Sequence, residues 1–500
     1  MPIELSDLTF TEQDDIVPPS GMEPIFVPSY VTINTLAGDD IINGGNYITD
    51  ISTDNFGFSN ILGTLNTNSG NDLITGIYQR SSSGSIGFGI ENRGNNSSDA
   101  GLATINTGDG NDTLTGISSN NDSNNDPNFF YGSGIENVIG SIDTGDGNDM
   151  ITGIGVGLGI LTELSTLDTG NGDDIITARG GHTGIGSSVT TTINTGGGND
   201  IITATGDRGW GIHLLSGAID TGEGNDIING TGGLSGLVFI TADFSNGGSR
   251  INTGEGDDII TGTGSEFGIV SEYTDTGEGD DIISGTGGQY GFGGGYINTG
   301  NGDDIISGTG SQGGILSNYI DTGNGDDTIS GTGSQRGIAS YKTLETGEGN
   351  DIITSIGVIY NEGIINTGNG NDSIIVEGIG TGYGIYNNGG AINMGEGNDS
   401  IIANEGFESA PNSSGAWFLG EGEDYIKGFG SGDFYGGNGN DTLELTPGTY
   451  TVGIWGEGGE SPIFTRGDQL MITSEFEQLK AGSTIYDFTS LTAGQIITVA

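Results

Sequence analysis

The sequence predicts an all-β chain wound into a parallel β-solenoid, and three observations carry that prediction. A short glycine-rich turn ending in Asp recurs 16 times between residues 31 and 445, at a nearly constant interval. Aliphatic residues return at fixed offsets from that Asp. No part of the repeat shows the 3.6-residue periodicity of an amphipathic helix.

Taken in order, residues 1–30 carry no repeat and include Pro18, Pro19, Pro24 and Pro28, as expected of an N-terminal cap or an extended lead-in. The repeat occupies residues 31–445, opening at INTLAGDDIING from Ile33 and closing at FYGGNGNDTLEL from Phe434. Its turns end at Asp40, Asp72, Asp112, Asp149, Asp174, Asp200, Asp226, Asp258, Asp281, Asp304, Asp327, Asp351, Asp372, Asp399, Asp424 and Asp441. The interval is 23 residues three times running from Asp258 to Asp327, and 25 or 26 from Asp149 to Asp226. A period that regular marks a structural unit.

Within each unit, the residue two after the Asp is Ile or Leu, as at Ile176, Ile202, Ile228, Ile306 and Ile353, and must point inward. The residue directly after the Asp varies freely (Ile305, Thr328, Ser373, Tyr425) and so faces solvent, which is the alternation of a strand. A second aliphatic column lies seven residues before the Asp (Ile105, Ile142, Ile193, Ile219, Ile297, Ile320), and a third about eleven after it (Ile160, Ile185, Ile269, Ile315, Ile338). Three inward aliphatics predict three short strands per coil, in about 16 coils of mostly 23–26 residues. Stacked at about 4.8 Å, such coils make a rod of roughly 75 Å. Coils before Asp149 are longer, and SSNNDSNNDPNFF from Ser118 reads as a surface loop.

Composition narrows the chemistry. Sixty-seven Asp and Glu against 10 Lys and Arg give a formal net charge of −57, which excludes nucleic acid and anionic lipid as partners. There is no cysteine, so neither disulfides nor thiolate metal sites hold the fold. No run approaches the length of a membrane helix, and the acidic start MPIELSDLTFTEQDD is unlike a secretory signal peptide.

Each turn reads Thr-Gly-x-Gly-[Asn/Asp]-Asp, as in TGDGND at Thr144 to Asp149 and TGNGDD at Thr299 to Asp304. The second Gly permits positive φ and bares backbone carbonyls, while the Asp adds a carboxylate. An oxygen-only donor set selects a hard cation, Ca2+ ahead of Mg2+. Stacking also sets one Asp above the next, and each like-charge pair costs on the order of 1 kcal/mol even in water. About 15 Ca2+ between 16 turns, one for each interval, would cancel roughly half of the formal charge and make folding conditional on metal. The expected ligands are Asp112, Asp149, Asp174, Asp200, Asp226, Asp258, Asp281, Asp304, Asp327, Asp351, Asp372, Asp399, Asp424 and Asp441. They act with the backbone of Gly110, Gly147, Gly172, Gly198, Gly224, Gly256, Gly279, Gly302, Gly325, Gly349, Gly370, Gly397, Gly422 and Gly439. Asn and Asp are also good turn formers on their own account. A column of 16 turns that all end in Asp favours the metal.

The segment GGNGNDTLE at Gly436 to Glu444 fully matches the nonapeptide of the RTX (repeats-in-toxin, hemolysin-type) calcium-binding family, which the region from about residue 31 to 445 resembles. The resemblance implies a parallel β-roll, Ca2+ held between neighbouring turns by Asp carboxylates and Gly carbonyls, and export by type I secretion. This chain departs from the family in three ways. Most copies have Thr for the first family Gly, as at Thr107, Thr221 and Thr253. The first two turns replace the next Gly with Leu36 and Asn68, which sets Asp40 and Asp72 apart from the other ligands. The motif also comes once per 23–26 residues instead of every nine, so a three-sided coil with a single calcium row is expected.

Residues 446–500 lose the repeat and gain Trp455, Phe464, Phe476, Tyr486 and Phe488; they read as a C-terminal cap and as an uncleaved type I secretion signal. The expectation is a secreted structural rod of the surface layer or matrix, or an adhesive one, with calcium ions as partners, and with them cell-surface or matrix polymers or its own copies. An enzyme is not expected. His182 and His213 fall eight and thirteen residues after their motif Asp and do not converge, and Arg179, Arg208, Arg250 and Arg336 lie apart. Two alternatives remain open. One is a polysaccharide lyase or epimerase on a β-helix. The other is a calcium-dependent ice-binding protein, suggested by Thr columns before the turn (Thr107, Thr195, Thr253, Thr299) and in the Gly-Thr-Gly corners (Thr263, Thr286, Thr309, Thr332).

Overall fold

The computed structural model describes residues 2–17, 23–48, 55–80, 87–95, 102–120, 132–241, 248–378, 380, 382–410, 415–456 and 461–500. Among these there is no α-helix; the only helical turns are the short 3-10 segments Leu5–Asp7 and Phe488–Ser490. The fold is the expected parallel β-solenoid, and it divides into two compact units, Met1–Thr276 and Gly277–Ala500.

In the first unit each coil contributes a strand before the turn, one after it and a third across the core. All three pair in parallel with their counterparts in the neighbouring coils. Strands Ala103–Asn106, Thr113–Asn120 and Ser133–Val138 pair with Gly140–Asp143, Met150–Gly155 and Leu158–Glu163. The in-register pairing places like on like. Leu65, Ile105, Ile142, Leu167, Ile193, Ile219 and Ile251 form one column. Ile74, Leu114, Ile151, Ile176, Ile202, Ile228 and Ile260 form the second, and Ile90, Ile135, Ile160, Ile185 and Ile212 the third. Every member is at most 1% exposed. Burying each aliphatic side chain is worth about 2–3 kcal/mol, so the core is held by three ranks of Ile rather than by any single cluster.

The described residues before 31 prove to be paired with the coils, although they carry no recognisable repeat. Ile16–Val17 pairs in register with Ile41 and Ile42, and Ile25–Val27 pairs with both Ile3–Glu4 and Phe58–Asn60. The stretch from Ser118, expected as loop, begins as strand: Ser118 to Asn120 end Thr113–Asn120. The rest of that stretch, 121–130, lies outside the described residues, as do Pro18 and Pro19.

Within the second unit Ile283, Ile306, Ile329, Ile353, Ile374, Ile401, Ile426 and Leu443 stack in the same way after the turns. Toward its end the coil shortens to 17 residues between Asp424 and Asp441. Aromatic rings take over the interior there. Phe407, Trp417 and Phe434 are buried together, with Trp417 and Phe434 stacked at 4.3 Å. Beyond residue 445 the winding becomes antiparallel: Gly448–Trp455 pairs with Ser461–Arg466 and Ile496–Val499, around buried Tyr450, Phe464 and Phe488. Two strands of this segment still stack in parallel on the last coil, Gln469–Ser474 on Gly432–Gly439 and Gln478–Ala481 on Thr442–Leu445.

Candidate metal column

Every turn is built by the same local constraints. The first Gly lies in the left-handed region, with φ of 83° at Gly300, and the second is wider, 149° at Gly302. A Cβ on Gly300 would stand 1.6 Å from the carbonyl oxygen of Gly277 in the coil before, so the turns stack closely enough to exclude any side chain there. Leu36 and Asn68 hold the same left-handed position in the first two turns, at φ of 74° and 71°. The backbone conformation is therefore kept where the glycine is lost.

Two side-chain ladders run along the turns in opposite senses. In the outer one, the Asn or Asp before the motif Asp accepts the N–H of its counterpart in the following coil. Asn111 accepts from Asn148, Asn148 from Asp173, and Asp173 from Asn199, at 2.8–3.0 Å. In the inner one, the motif Asp accepts the N–H of the motif Asp in the preceding coil through Oδ1. Within the first unit, Asp72, Asp112, Asp149, Asp174, Asp200, Asp226 and Asp258 all do so at 2.7–2.8 Å. In the second unit Asp304, Asp327, Asp351, Asp372, Asp399, Asp424 and Asp441 repeat it at 2.8–2.9 Å.

All sixteen motif Asp side chains are buried, at 2% exposure or less. Their second oxygen is the unusual feature. Oδ2 of Asp40, Asp72, Asp112, Asp149, Asp174, Asp200 and Asp226 in the first unit is buried without a protein hydrogen-bond partner. The same is true of Asp304, Asp327, Asp351, Asp372, Asp399, Asp424 and Asp441 in the second. A buried oxygen left unpaired costs about 1–3 kcal/mol, and more when it carries charge. The ion pairs of Arg93, Arg179, Lys427 and Lys480 go to carboxylates outside the column.

Burial accordingly pushes these carboxyls up, to about 7 for Asp174, Asp226, Asp327 and Asp399 and about 6 for Asp112, Asp149, Asp304 and Asp351. Neighbouring motif carboxylates add to the rise at Asp174, Asp327 and Asp399. The Thr of the same turn opposes it in part, Thr107 beside Asp112 and Thr299 beside Asp304.

Among the described residues no three His, Cys, Asp or Glu side chains converge on a point. The acids are strung out one per coil, so a cation between coils would take carboxylate oxygen from at most two turns and its remaining donors from backbone carbonyls and Thr hydroxyls. Such a donor set is all oxygen. It fits a hard cation and not a thiophilic or imidazole-seeking one. The orphaned oxygen in coil after coil is where the residues present fit such an ion.

Several expectations are corrected. Thr107, Thr195, Thr253 and Thr299 do not face outward but are buried, with the Thr107 hydroxyl donating to the Thr144 carbonyl at 3.2 Å. Alternation already required this, since Ile105 points in, Asn106 out and Thr107 in. His182 and His213 do come together, both against the indole of Trp210. His182 meets Trp210 edge-on at 5.3 Å between centroids and His213 stacks on it at 4.2 Å. They were missed because a corner, not a strand period, separates them.

Two further members of the inner column lack the motif. The Asp15 N–H donates to Asp40 Oδ1 at 2.9 Å, and the Asp441 N–H donates to Glu477 Oε2 at 2.8 Å. Asp15 carried a legible signal, Asp-Asp-Ile-Val placed 25 residues before Asp40. Neither a family model nor a curated protein sequence matches this chain.

Proposed function

We propose that the turns bind a row of divalent cations, Ca2+ foremost, and that the protein is a calcium-dependent structural or adhesive component of the cell exterior. The observation that carries the reading is the column of buried motif carboxylates whose second oxygen has no protein partner. A cation bridging adjacent coils would satisfy that oxygen and cancel the repulsion between stacked charges together. The net charge of −57 supports the reading, because ten basic residues are too few to neutralise the acids. The exterior location follows from the calcium requirement, since weak sites of this kind are matched to extracellular calcium. The resemblance to the RTX family points the same way.

The test is circular dichroism and calcium binding on the full chain. Strong β signal with several Ca2+ bound per molecule, lost on adding EGTA, is the expected result. A chain that keeps its full β signal and its melting temperature in EGTA would sink the proposal.

A second reading, ice binding, draws on a different surface. Thr205, Thr231 and Thr263 in the first unit lie in register on the outer face, as do Thr286, Thr309 and Thr332 in the second. Such a rank repeats at about the 4.8 Å spacing of the strands. Thermal hysteresis measured with calcium present decides it.

A further inference from the structure

We propose that Glu477 ends the inner column of the second unit, and that with Asp441 and the backbone carbonyl of Glu475 it forms a terminal site for a divalent, oxygen-seeking cation. This inference rests on the cation reading of the turns.

The turn motif stops at Asp441, and the repeat offers no next Asp to accept its N–H. The acceptor comes instead from Glu477, 36 residues further on, through Oε2 at 2.8 Å. Glu477 directly precedes Gln478, which pairs in parallel register with Thr442, the residue after Asp441. Glu477 therefore stands one layer above Asp441, where the next motif Asp would be. Asp441 Oδ2 is fully buried and has no protein partner.

Gly436 supplies the second, independent observation. In the regular coils this position, five before the Asp, is Thr, as at Thr299 and Thr322. Here a Cβ would stand 1.9 Å from the Glu475 carbonyl oxygen and 2.9 Å from Asp441 Oδ2. The two oxygens thus approach the same space, which only glycine leaves clear. Glu475 is held at φ of 58°, a left-handed conformation costly for a residue with a side chain, and its carbonyl is presented to Gly436 from there. The nearby lysines do not answer this negative charge, because Lys427 and Lys480 both pair with Glu444, at 3.3 and 2.5 Å. Two carboxylates and a presented carbonyl, with both of these lysines engaged elsewhere, make a site for a hard divalent ion.

Hydrogen–deuterium exchange on the full chain, with Ca2+ and with EGTA, tests this peptide by peptide. In the wild type, Ca2+ is expected to slow exchange both in 434–445 and in the regular turns of 299–327. Glu477→Gln keeps an oxygen for the Asp441 N–H while removing the charge, so the fold is retained. It should reduce the calcium-dependent protection of 434–445 at least tenfold and leave 299–327 unchanged. Asp468→Asn, which removes an exposed carboxylate outside the site, should behave as the wild type. Unchanged protection of 434–445 in Glu477→Gln, with normal calcium protection of 299–327, overturns this inference and leaves the column reading standing. Absence of calcium-dependent protection anywhere in the wild type overturns both.

Discussion

Asp304 shows what one side chain of the column must do. Its Oδ1 accepts the Asp281 N–H at 2.8 Å, while its Oδ2 is buried with no protein partner. Asp304→Asn keeps the hydrogen-bond acceptor and deletes the charge. In EGTA this substitution is expected to raise the unfolding free energy by about 1 kcal/mol, because a buried charge disappears. In saturating Ca2+ it should lower stability by a similar amount or more, because a ligand disappears. Denaturant melts in the two buffers check this change of sign. A turn needing no metal would show the same sign in both. Gly300→Ala acts through the backbone instead, since a Cβ there meets the Gly277 carbonyl. A loss of about 3 kcal/mol, with or without calcium, is expected.

At the scale of strands and turns, the Ile ranks were legible in the sequence because each position is repeated many times and the period of two fixes its direction. Ile306 is fully buried and Ile305 is 41% exposed, as their neighbours in the motif require. Ile306→Ala should cost about 3 kcal/mol and Ile305→Ala less than 1, measured by denaturant unfolding. What the sequence concealed lies where periodicity breaks. Asp15 has no glycine before it and keeps only the Asp-Asp-Ile-Val part of the pattern, and Glu477 is a different residue after a long excursion, so neither matches the full motif, yet backbone pairing brings each into register. The His182, Trp210 and His213 contact forms across a corner whose geometry no alternation specifies. The insertions before Asp149 show that coil length is free while turn geometry is not: intervals of 32, 40 and 37 residues all return the Asp to the same hydrogen bond.

For the molecule as a whole, the raised carboxyls set a pH dependence that calcium should reverse. Motif carboxyls near 6 to 7 in the folded state, against about 4 when unfolded, mean that the folded chain binds more protons between those values. Stability without metal is therefore greatest in acid and falls as pH rises from about 4 to 7. With Ca2+ saturating, protons compete with the ion and stability should rise over the same range. Melting temperatures at pH 5 and pH 7.5, in EGTA and in Ca2+, give the four values needed. A pH response of one sign in both buffers would contradict the bound-cation reading.

The inner ladder also has a direction. In each unit the N–H of one motif Asp is satisfied by the coil that follows it, so the inner hydrogen bond of each coil is completed by its successor. A partial chain emerging from its N-terminal end always carries one open donor at its leading edge, which matches the acceptor of the coil still to come. At the opposite edge the inner ladder of the first unit ends in an acceptor, Asp15, which takes the Thr11 N–H, and the outer ladder runs the other way, so the two ends of a stack are chemically distinct, as the two ends of a polar filament are.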